Sequence, residues 1–207
     1  MSSSVEGDNS WSSATIRGQF LDAYISDGNA DGFSGCLRSL AASLRNISEE
    51  KEWMSRFSPA DAGSMATYVD VLAKSAELSD RIAAIRATTD DNALAKLITD
   101  FMKILVDLPS ENGSVIVEGG LTDNDGSRIA ISYLIIKRKD TFSLAICNTG
   151  RGAGQYHPTS GDQHIMSTIL IDKIPSNLMI HDPAVSYVLL RMATKPSSEF
   201  SPAMLYR

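Results

Sequence analysis

The spacing of apolar residues changes once along this chain, near residue 110, and that change limits the folds open to it. Before it, the spacing is helical. Leu37, Leu40, Ala41, Leu44 and Ile47 make one stripe, Met65, Tyr68, Val69, Leu72, Ala76, Ile82 and Ile85 a second, and Leu94 to Leu105 a third that stops ahead of Pro109. After Ser114 the pattern is that of strands. VIVE is followed by the turn-rich GGLTDNDGS, then RIAISYLIIKR, a turn at Lys139-Asp140, and TFSLAIC, which together predict a strand, a loop and a hairpin. QHIMSTILIDKI predicts another strand, and Pro183 to Met192 a last helix. Helices first and strands later predict an α+β fold, a helical layer packed on an antiparallel sheet, over an alternating α/β one.

Residues 1–13 read as a polar, Ser-rich leader and 14–207 as one domain, with a helical half over 14–109 and a β-rich half over 114–207. A chain of 207 residues is long enough for one core that buries roughly 70% of its unfolded surface. Within the helical half, Ile16, Phe20, Leu21, Tyr24 and Ile25 predict a short amphipathic helix stopped by Ser26-Asp27-Gly28-Asn29. Gly32-Phe33-Ser34-Gly35 then leads into CLRSLAASLRNI, which places Cys36 at or next to a helix N-terminus. Ser58-Pro59 predicts a cap with proline in the first turn, and Asp90 and Asp91 favour a helix start near Thr89.

Charge excludes one large class of function. Lys and Arg number 19 against 25 Asp and Glu, a net −6, and no basic run exceeds Lys137-Arg138-Lys139, so a basic stripe for nucleic acid is missing. No window of 18 apolar residues predicts a membrane span, and the N-terminus has neither a basic nor an apolar export region. The expected location is cytoplasmic, or the host cytosol if the leader belongs to a secreted bacterial effector. Two cysteines, Cys36 and Cys147, fit a reducing compartment and make no disulfide framework. The ending at Leu205-Tyr206-Arg207 carries no stop signal and suits the front part of a longer protein.

Three features carry chemistry. A thiol at a helix N-terminus has a lowered pKa, so Cys36 is a candidate nucleophile; a buried structural cysteine is the alternative. The stretch AICNTGRGAGQYHP combines Asn148, glycines 150, 152 and 154 (Gly150, Gly152, Gly154), Arg151 and His157 in a loop able to approach a substrate closely. It is not a phosphate cradle, because the glycine spacing is wrong and no Lys-Ser/Thr follows. Of the histidines His157, His164 and His181, the first two are candidate bases for the thiol proton, with Asn148 or Asp182 to orient the ring. No paired Cys or His has zinc-ligand spacing, and DNDG at 123–126 lacks the closing Glu of a calcium loop, so no metal and no cofactor is expected.

With those residues in view, the chain resembles a papain-like cysteine protease of a divergent sort. GCLRSLAASL resembles the nucleophile segment, the helical half precedes the β half, and TFSLAICNTG resembles the strand that delivers the orienting Asn, here Asn148. The resemblance implies acyl-transfer chemistry on peptide or isopeptide bonds. It also implies a histidine at the start of the preceding strand, where GSRIAISYLII has Arg128, a side chain that stays protonated and accepts no proton. Two readings follow. One is a thiol-dependent hydrolase or transferase with Cys36, a histidine from elsewhere and Asn148; the other is a catalytically inactive module that binds a protein partner, with Arg128, Arg151 and the glycine loop as its recognition surface.

Overall fold

The computed structural model describes residues 30–50, 54–55, 58–88, 90–111, 113–122, 128–148, 153–159, 165–194 and 205. Helices α1 (Ala30–Glu49), α2 (Pro59–Thr88) and α3 (Asp91–Asp107) come first. Strands β1 (Ser114–Thr122), β2 (Arg128–Lys137) and β3 (Thr141–Cys147) follow, then the one-turn α4 (Ala153–Tyr156), β4 (Thr168–Pro175), α5 (Ser176–Ile180) and α6 (Pro183–Thr194). The four strands form an antiparallel meander in the order β1-β2-β3-β4. The α+β expectation therefore holds, helices first and an antiparallel sheet after. The predicted helix over 16–25 and the leader lie outside the described residues.

Alternation decides what the sheet buries. Val115, Ile135 and Leu144 form one row across the strands, and Val117, Tyr133 and Ile146 the next. All six are buried, and they meet Leu78, Ile82 and Ile85 of α2, Leu94, Leu97, Phe101 and Leu105 of α3, Met179 of α5, and Leu189 and Leu190 of α6. Asp90, expected within the first turn of α3, instead caps it, its carboxylate accepting from Asn92 N at 2.9 Å. At the other end of α3, the Lys137 ammonium donates to the carbonyls of Val106 (2.5 Å) and Leu108 (2.9 Å), satisfying acceptors that the helix leaves open.

The outer edge of β1 is closed by a helix. Ser75 on α2 accepts from Ile116 N at 2.9 Å while donating to Val71 O at 2.6 Å, so one hydroxyl covers an exposed strand amide. Below it sits a buried polar cluster that the amino-acid pattern does not announce. Glu118 accepts from Ser79 Oγ at 2.6 Å and pairs with the Arg86 guanidinium at 2.8 Å, and Arg86 Nε donates to Ala193 O at 2.9 Å. Three elements, α2, β1 and α6, are tied through it.

Two local differences from the sequence reading have physical causes. β1 does not stop at VIVE but runs on through Gly119 and Gly120 to Thr122, paired with Arg128 to Ile131 of β2. Glycine is what permits this: a Cβ at Gly119 would lie 2.5 Å from Cε2 of Tyr133, whose ring fills that space. Gly119→Ala is expected to cost about 1–3 kcal/mol by overpacking, seen as a lowered unfolding midpoint. In the β3–β4 pairing the register shifts between Phe142 and Leu144, and Lys173 of β4 takes a left-handed φ of 59°. That bulge is held by Ser143 Oγ, which donates to Asp172 at 2.6 Å. The Ser143 hydroxyl, with the Lys173 backbone amide, keeps the Asp172 carboxyl below the usual range.

Candidate functional site

Cys36 lies on α1, and α1 begins at Ala30. This corrects the expectation of a thiol at a helix start: Gly32 to Gly35 are already helical, so Cys36 is the seventh residue and stands beyond the turn in which the dipole acts. Phe33, Leu37 and Ala41 of α1 seat against Val69, Leu72 and Ala76 of α2, with Leu40, Leu44 and Ile116 around them. In that setting Cys36 is 3% exposed. Burial pushes its thiol above the ordinary value. The shift runs opposite to the one a nucleophile needs.

An exposed ion pair between Arg38 and Asp80 adds a second link between α1 and α2. The Arg38 hydrogen bond holds the Asp80 carboxyl below its usual range. Being exposed and screened by solvent, the pair adds little to stability.

Asn148 and His157 are brought together elsewhere, at the end of β3 and beside the start of β4. Asn148 is 1% exposed, and its backbone N donates to Ser167 O at 2.8 Å. His157 closes α4 through its backbone N on Ala153 O at 2.8 Å, and its Nδ1 stands 2.7 Å from Met166 O. A carbonyl only accepts, so Nδ1 carries the proton in this contact. Met166 N on Pro158 O at 2.9 Å and a bridge between Thr159 and Ile165 tie the two arms together. Part of the expected glycine loop is thus the one-turn α4, with Gly154 exposed on it.

The structure does not join these residues to Cys36. α1 packs on α2 and α2 on β1, whereas His157 lies next to β4, the opposite edge of the sheet. Cys147 is half-buried and accepts from Thr168 Oγ1 at 3.7 Å. Strand alternation turns its side chain to the face opposite that of Ile146. Asp182 has a structural task of its own: exposed at the start of α6, it accepts from Ala184 N at 2.8 Å as a cap. His181 is likewise exposed, at the end of α5.

Arg128 opens β2 opposite Thr122. Gly150, Arg151, Gly152 and His164 lie outside the described residues. Among the described residues no three His, Cys, Asp or Glu converge as metal ligands, and no helix is long and apolar enough to cross a membrane.

What the sequence reading missed is an exposed apolar edge. Among the described residues β4 is the last strand of the sheet, and around it Ile165, Met166, Leu170 (61% exposed), Ile171 and Leu178 are exposed. Because Ser167 O accepts from Asn148, the amides of Thr168 and Leu170 point away from β3, toward the open edge. The bulge at Asp172-Lys173 ends regular pairing there, leaving Thr168 to Ile171 as the straight part. The signal was present in TILIDKI, an apolar strand pattern.

Comparison of the chain with protein-family models, with curated proteins and with solved structures gives no match.

Proposed function

We propose that the chain is a catalytically inactive binding module that meets a protein partner through β4. The observation that carries the inactive half of this reading is the position of Cys36: buried on α1, beyond the first turn, with a thiol raised by burial. A nucleophile needs access and a stabilised thiolate, and this setting opposes both. His157 has its Nδ1 engaged with Met166 O, which suits a group fixing the loop before β4.

Support for the binding half comes from the sheet edge. Contiguous exposed apolar side chains mark interaction surfaces more often than chance placement does, and an open strand edge accepts an extended peptide through its main-chain groups. Leu170 and Ile171 supply side chains on alternate faces, and Thr168 and Leu170 supply the outward amides. A partner strand would add next to Thr168–Ile171 and stop at the Lys173 bulge.

Two arms test this. The native chain, a Cys36→Ala variant and a Leu170→Asp variant are immobilised and offered the same extract; the native and Cys36→Ala chains are expected to retain the same proteins and Leu170→Asp to lose them. Leu170 is solvent-exposed, so its variant keeps the fold, checked by circular dichroism. In the second arm, the chains are assayed on peptide and isopeptide substrates. Turnover by the native chain that disappears in Cys36→Ala overturns the proposal in favour of a thiol hydrolase.

A further inference from the structure

We draw no further inference here: the strongest candidate beyond the β4 edge, the open trough between α3 and the α5–α6 corner lined by Met102, Val106, Ile180 and Pro183, carries nothing because nothing among the described residues shows what covers it.

Discussion

Glu118→Ala is expected to lower the unfolding free energy by about 3–5 kcal/mol, because it strands a buried cation. The Arg86 guanidinium is 16% exposed and Glu118 6%, and with the carboxylate gone the Ala193 carbonyl at 2.9 Å remains as its described acceptor. Ser79 Oγ loses its partner in the same step. Urea denaturation of the two proteins measures the difference. Glu118→Gln, which keeps an acceptor, should lose less than Glu118→Ala. A double variant, Arg86→Met with Glu118→Leu, should recover much of the loss, since a buried pair replaced by apolar groups of similar volume is often neutral. A loss below 1 kcal/mol for Glu118→Ala would mean that water reaches Arg86 and that the cluster is not a tie between α2, β1 and α6.

Phe101→Ala is expected to cost a similar amount, about 3–5 kcal/mol, by a different route. Phe101 is fully buried on α3 among Leu97, Leu105 and the inner face of the sheet. Removing its ring gives up transfer energy and leaves a cavity that the surrounding strands cannot close. The midpoint in urea should fall with the slope unchanged, the sign that the native state still buries the same surface. A changed slope would place the effect in loosened packing between α3 and the sheet.

These two sites show what was legible in the sequence and what was not. Phe101 was legible, because Leu94, Leu97, Phe101 and Leu105 recur at helical spacing and a helix of that pattern must bury the stripe. Glu118 was not legible: as the last residue of VIVE it looks like the end of a strand, and only the approach of α2 makes it a buried partner for Ser79 and Arg86. Gly119 misled for a related reason, since a glycine pair reads as a turn unless the ring of Tyr133 is known to lie across it.

The candidate site was legible in its members and not in their grouping. Asn148 and His157 do come to one end of the sheet, through the short path of α4 and the bridge before β4. Cys36 does not join them, because the helix that holds it starts a turn and a half earlier than the glycines suggested and docks on α2. Gly32 and Gly35 punctuate the sequence, yet tertiary packing through Phe33 and Leu37 overrides their weak helix preference. Asp182 illustrates the same limit: an acidic residue before a proline at a helix start is first of all a cap.

On the function proposed above, the buried Cys36 thiol of α1 performs no chemistry. Treating the folded chain with iodoacetamide at neutral pH and following each cysteine by peptide mass tests it most directly. Cys36 is expected to react at least about tenfold more slowly than the half-buried Cys147, and the two rates to converge in urea, where burial no longer protects the thiol. Faster labelling of Cys36 than of Cys147 in the folded protein would return Cys36 to the role of nucleophile.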